Sequence, residues 1–98
     1  MASPLAPLPG GTTTTLNVTA PAIIKASAGR VFTVSVIVQG SSTYGAVYDS
    51  NSLTGNTAAN QIGVIANTTN PIDFNAMPTA TGIVVAPGAG QTLTVSWS

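Results

Sequence analysis

The final strand-like run shows what this chain can fold into. Leu93, Val95 and Trp97 alternate with Thr92, Thr94, Ser96 and Ser98. A period of two lines one face of a β-strand with apolar side chains and the other with hydroxyls. Similar runs recur along the chain, each cut short by Gly, Pro, Asn or Ser. The candidate strands are residues 16–19, 22–26, 30–39, 44–49, 58–66, 71–74, 82–86 and 91–98. Seven or eight short strands, with turn signals about every ten residues, predict an all-β chain. The expected architecture is an antiparallel β-sandwich or a jelly-roll-like barrel.

The chain has 98 residues and 44% hydrophobic content, enough for one core and too short for two. Its only aromatics are Phe32, Tyr44, Tyr48, Phe74 and Trp97, so Val, Ile, Leu and Ala must fill most of the interior. Residues 30–39 form the strongest strand. Strict alternation places Phe32, Val34, Val36 and Val38 on one face and Val31, Thr33, Ser35 and Ile37 on the other. The second face is half apolar, so a central strand partly covered on both sides is expected. In residues 44–49, Tyr44, Ala46 and Tyr48 oppose Gly45, Val47 and Asp49. A helical turn near residues 57–61 is a weaker alternative to a strand over 58–66, where Ile62, Val64 and Ala66 alternate.

Two parts are expected: an extended arm over residues 1–14 and a single sandwich over 15–98. In the arm, Pro4, Pro7 and Pro9 precede Gly10-Gly11 and a run of threonines, a pattern that favours polyproline-II-like backbone. Leu5 and Leu8 suit an arm docked on a neighbouring subunit. Loops are expected over residues 50–56 and 75–81. The candidate partner contacts are therefore Leu5, Leu8, Thr12 and Thr14 from the arm, Asn51 and Leu53 from the first loop, and Met77 and Thr79 from the second.

Only Lys25, Arg30, Asp49 and Asp73 carry a charged side chain, and the net charge is zero. Two basic residues cannot supply the phosphate neutralisation that drives nucleic-acid binding. Nor can they hold the chain on an anionic membrane. No run of 18 apolar residues offers a transmembrane helix, and the first residues lack the basic and long apolar regions of a signal peptide. Without cysteine, neither a disulfide scaffold nor a thiolate zinc site is available. Hydration falls to 15 Thr, 9 Ser, 7 Asn and 3 Gln. Such a surface repels its own copies little and suits dense packing. The lysines that usually blunt sheet edges are missing, which points to pairing between protomers and a homo-oligomer.

The same scarcity limits chemistry. A nucleophilic hydroxyl needs a neighbouring base, and with no histidine the lone Lys25 beside Ile23-Ile24 reads as a solvated strand end. Asp49 and Asp73 are placed to accept backbone amides at turns rather than to share glycoside chemistry. Asp49-x-Asn51 is too poor in carboxylates for a calcium loop. Pairing of Arg30 or Lys25 with either aspartate would set register more than stability. The sequons at Asn17 and Asn67 are expected by chance in so Asn- and Thr-rich a chain. Tyr44, Tyr48 and Trp97 are expected in the core, with a sugar- or partner-binding platform as the alternative. No catalytic residue, cofactor or metal ligand is assigned, and the chain is read as no enzyme.

The stretch from Lys25 through Gly29-Arg30 to Val36, followed by Val47-Tyr48-Asp49, then Thr81-Gly82-Ile83-Val84-Val85 and residues 90–97, resembles small virion proteins of tailed bacteriophages. The resemblance spans residues 23–98 and leaves out the Pro-rich arm. It implies a β-sandwich head decoration, or cement, protein or a related structural component. Such proteins bind the capsid exterior, often as trimers, with the major capsid protein and copies of themselves as partners. Location on the outside of the virion head follows from it. The alternatives are a tail, collar or fibre component, or a carbohydrate-binding or adhesin domain of a bacterial surface. The last predicts that Tyr44, Tyr48 or Trp97 is exposed.

Overall fold

The computed structural model describes residues 12–41 and 43–98, so Leu5, Leu8 and the rest of residues 1–11 lie outside it. The described residues are all-β. In chain order the strands are β1 (Thr13–Val18), β2 (Ala22–Lys25), β3 (Gly29–Val38), β4 (Gly45–Asp49), β5 (Gln61–Ile65), β6 (Asn70–Thr79), β7 (Ile83–Ala86) and β8 (Thr92–Trp97). They form two four-stranded sheets, β1-β8-β3-β6 and β2-β7-β4-β5, with every pairing antiparallel. The pairs β1–β8, β2–β7, β3–β6 and β4–β5 are those of one long hairpin folded about the β4–β5 loop. Joining β8 to β3 and β7 to β4 wraps that hairpin into a jelly roll.

Valine dominates the space between the sheets. Val31, Val34, Val36, Leu93 and Val95 from one sheet face Val47, Ile65, Ile83 and Val85 from the other, all buried. Their β-branched side chains are stiff and fit a pleated surface. Full burial of each such side chain contributes roughly 1.5–3 kcal/mol relative to exposure.

The interior departs from strict alternation at bulges. Register shifts between Val31 and Thr33 and between Val36 and Val38. Val31 therefore joins Val34 and Val36 inside, Phe32 is only half-buried, and Val38 and Ile37 are exposed. An extra unpaired residue reverses which face later side chains take. In β5 the bulge opposite Val47 and Tyr48 turns Val64 outward and buries Ile65. Residues 58–60 form a turn closed by the Asn60 amide on the Thr57 carbonyl, so the predicted strand over 58–66 shortens to β5.

The predicted loop over 75–81 is corrected most. Residues 70–79 form one edge strand, β6, bonded only to β3. Pro71 and Pro78 are tolerated there because an edge strand has one unpaired side. Asn75 and Ala76 adopt φ of 54° and 57°, a left-handed conformation that absorbs the extra residues between Asp73 and Met77. The bulge lets Phe74 drop into the core against Gly63 of β5. At the opposite side, Trp97 packs on the core and its Nε1 donates to Thr15 Oγ1 at 2.8 Å. Thr13 and Thr14, assigned to the arm from sequence, open β1.

Candidate interaction surface

The two outward faces differ in chemistry. Residues paired across strands share a face, so the registers can be read as rows. Outside the β1-β8-β3-β6 sheet, one row runs Thr14, Ser96, Thr33, Asp73 and the next Thr94, Ser35, Pro71. Thr14 Oγ1 and Ser96 Oγ lie 3.4 Å apart on that face. Outside the β2-β7-β4-β5 sheet, one row runs Ile23, Val84, Tyr48, Gln61 and the next Ala86, Ala46, Val64. The paired rows of the first sheet are hydroxyl-rich, although Leu16 of β1 and Ile37 of β3 stand 70% and 55% exposed on the same sheet, and the rows of the second are mainly aliphatic, with Tyr48, one amide and no charge. Val64 is 53% and Ile23 43% exposed at its corners. Between them Val84 is covered, at 1% exposure, and Ala46, Ala86 and Tyr48 are half-buried, so the open apolar surface of this face is at Ile23 and Val64.

The antiparallel order also sorts the connections between two ends. At one end lie the start of β1, the β2–β3, β4–β5 and β6–β7 connections and Ser98. Asp49 ties this end together. Its Oδ2 accepts the amide of Ala80 at 2.9 Å and its Oδ1 those of Thr81 and Gly82 at 2.8 and 3.3 Å. The Ala80 bond above all, helped by those from Thr81 and Gly82, holds this carboxyl below its ordinary pKa against the opposing effect of partial burial. Because residues 80–82 cross from one sheet to the other, Asp49 staples the two.

The β4–β5 loop at this end is built by its own side chains. Ser50 Oγ accepts the Ser52 amide, and Asn56 Nδ2 donates to the Ser52 carbonyl at 2.8 Å. Asn60 links back to Asn56 Oδ1 and, through Oδ1, accepts the Thr57 amide. Local Ser and Asn bonds of this sort hold an Ω-loop in one shape. Leu53 and Asn51 stand exposed on it.

At the other end Gln91 plays the binding role. It is 1% exposed; its Oε1 accepts the Gly88 amide and its Nε2 donates to the Ala66 carbonyl, both at 2.7 Å. Beside it Thr43 Oγ1 accepts the Ala89 amide at 2.6 Å. Tyr44 projects from this end with 64% exposure.

Of the residues expected to make contacts, Asn51, Leu53 and Met77 are on the surface, and Thr12 is half-buried. Thr14 sits on the hydroxyl face. Thr79 is buried: its Oγ1 accepts the Gly29 amide at 3.1 Å, so it serves the β3–β6 pairing and offers no outward contact. Leu5 and Leu8 lie outside the described residues. Tyr44 is not in the core, whereas Trp97 packs against it. The expected Arg30 and Lys25 pairings are replaced by other partners. Arg30 Nη1 donates to the Ala76 carbonyl at 3.0 Å, and Lys25 Nζ stands 6.0 Å from the Trp97 ring centroid. Asp73 Oδ1 accepts the Asn75 amide at 2.7 Å. Both aspartates thus bond backbone amides, as their turn positions suggested.

The aliphatic face of Ile23, Val84, Tyr48, Ala46, Ala86 and Val64 was not singled out from sequence. The available signal was the uninterrupted apolar character of Ala22–Ile24 and Ile83–Ala86, which leaves no polar side to either strand. Among the described residues no three His, Cys, Asp or Glu side chains gather as metal ligands. No protein-family model, curated protein or solved structure matches this chain.

Proposed function

We propose that this chain is a non-enzymatic structural protein of a tailed-phage virion that decorates or cements the capsid exterior. The observation carrying this reading is the contrast between the paired outward rows of the two sheets, hydroxyl-rich on one and uncharged and mainly aliphatic on the other. In the proposed mode the aliphatic face seats on the major capsid protein, with the Ω-loop and Leu53 contacting a neighbouring subunit. A shell repeats such a contact many times, so each contact can be modest while the lattice gains strength. The resemblance over residues 23–98 and the scarcity of ionisable groups favour the same reading. Quantitative mass spectrometry of purified virions tests it: the chain should appear in fixed proportion to the shell protein. Its absence from particles would contradict the reading, and imaging of labelled particles separates head from tail.

The exposure of Tyr44 favours one second reading, a glycan-binding domain that stacks a sugar on that ring at the Gln91 end. That reading requires hits on a glycan array that disappear with Tyr44→Ala. The capsid reading requires shell binding that survives the same substitution.

A further inference from the structure

We infer that β5 is the strand through which two copies of this chain join, pairing antiparallel with itself about a two-fold axis at Val64. The inference goes beyond the capsid reading and does not need it, because it concerns the purified chain alone.

An edge strand carries unpaired backbone groups that another strand satisfies. Among the described residues the four edges are β1, β6, β2 and β5, and three of them are blunted. β6 holds Pro71 and Pro78 and is interrupted by the left-handed Asn75 and Ala76. β1 is broken at Asn17, whose φ is 59°. β2 has four residues and ends on the charged Lys25. β5 contains no proline, no charge and no left-handed residue. Its one irregularity, the shift opposite Val47 and Tyr48, leaves residues 63–65 in regular register with residues 45–47.

The bonds of β4 fix which groups of β5 are free. On the β7 side the Ser50 amide donates to the Gly82 carbonyl, and on the β5 side the Asp49 amide donates to the Asn60 carbonyl. Backbone groups alternate in direction along a strand. Tyr48 and Ala46 therefore bond toward β7, and Val47 and Gly45 toward β5. Gly63 and Ile65, their partners, face β4 in return. Val64 lies between them, so its N–H and C=O point to the open edge, where no described residue bonds either. Its side chain is exposed on the outer face.

Register selects the axis, because opposed residues share a face. An axis at Val64 sets the two Val64 side chains together outside. It sets Gly63 against Ile65 of the second copy inside, where Gly63 lies against Phe74 and Ile65 is buried. An axis at Gly63 fails twice. β4 already takes its backbone groups, and Gln61, in the outer row with Tyr48, would oppose the inward Ile65. At Val64 each copy donates its N–H to the C=O of the other, and the two valines cover each other. With no charge on the strand, identical copies meet without repulsion. The Ala66 carbonyl already takes Gln91 Nε2, which bounds the pairing at that end. Such an isologous contact closes at two copies, and one so short makes a weak dimer.

Single cysteines test this, since the native chain has none. Opposed residues of a hydrogen-bonded pair have Cα atoms about 5.5 Å apart, within the span of a disulfide. Under mild oxidation V64C should cross-link to a dimer at least about tenfold faster than I23C or L53C, because the second thiol is held in place. In the native chain, hydrogen exchange of the Val64 amide should slow as concentration rises, while that of Leu16 on β1 stays constant. V64P removes the donated N–H without touching the β4 ladder, and sedimentation should find it monomeric where the native chain dimerises. Equal cross-linking rates at the three positions would overturn the inference, as would a Val64 amide whose exchange ignores concentration. Faster cross-linking through I23C would overturn it too, by moving the contact to the β2 side. The cross-linking and exchange readouts decide the matter even where V64P does not fold. Neither bears on whether the protein is found in virions, so the two proposals fail separately.

Discussion

On the β1-β8-β3-β6 sheet the outward row reads Thr14, Ser96, Thr33, Asp73, while on the β2-β7-β4-β5 sheet it reads Ile23, Val84, Tyr48, Gln61. Both sheets contribute inward valines to the same core, so the demands of folding do not separate them. The difference lies in what each presents to the outside. Hydroxyls on a pleated face satisfy water and give up little on exposure. Aliphatic side chains in the same position gain only when something covers them, at roughly 25 cal/mol per Å².

The contrast exists because the two sheets are held back to back, so the largest expected effect comes from breaking that frame. Phe74 spans from β6 to Gly63 on β5. Phe74→Ala should lower unfolding free energy by about 3–5 kcal/mol, measured by urea denaturation, and the bulge at Asn75-Ala76 loses its purpose. Gly63→Ala attacks the same contact from the other strand. A methyl there overlaps the Phe74 ring, and the expected cost is about 1–3 kcal/mol.

The third test uses acid. Asp49 has its carboxyl pKa lowered in the folded chain by the amides of residues 80–82. The unfolded chain therefore takes up this proton first as pH falls. The stabilisation is fully present above the ordinary value of 3.8 and is lost as pH drops through the lower folded value. Urea midpoints should fall over that acid range in the native chain. In Asp49→Asn the acid-dependent component should be smaller, at lower stability throughout. An identical acid profile in the variant would show that the staple between sheets lies elsewhere.

The smallest effect sharpens the contrast directly. Thr33→Val with Ser35→Val makes the hydroxyl face aliphatic without touching the core. Stability should change by no more than about 0.5 kcal/mol per site. Self-association, followed by sedimentation, should rise because the molecule then has two apolar faces.

Much of this frame was legible in the residues. The alternation of Leu93, Val95 and Trp97 marks β8, and both aspartates bond turn amides, but in β4 it is Gly45 and Val47 that turn inward, while Tyr44, expected in the core, is exposed. Bulges set the limit. One unpaired residue near Phe32 sends Val31 inside and reverses a face assignment that strict alternation had made. Residues 71–74 read as strand and 75–81 as loop because Pro78 resembles a breaker, and only the edge position of β6 removes its penalty. Thr79 and Gln91 look like surface residues by type, yet each is buried and bonds backbone from a distant part of the chain. The aliphatic outer face needs strand pairing to be seen. Alternation tells which residues of one strand share a side, but not that Ile23, Val84, Tyr48 and Val64 meet on neighbouring strands.

The most direct measurement of the proposed capsid role compares two double variants for binding to purified shells that lack this protein. I23K/V64K places two charges on the aliphatic face, and T33K/S35K places two on the hydroxyl face; thermal melts check that both remain folded. Burying an unpaired ammonium is costly, so I23K/V64K should weaken binding by at least about tenfold, or 1.4 kcal/mol, while T33K/S35K binds like the native chain. Loss of binding by T33K/S35K with I23K/V64K unaffected would contradict the assignment of the aliphatic sheet as the contact surface.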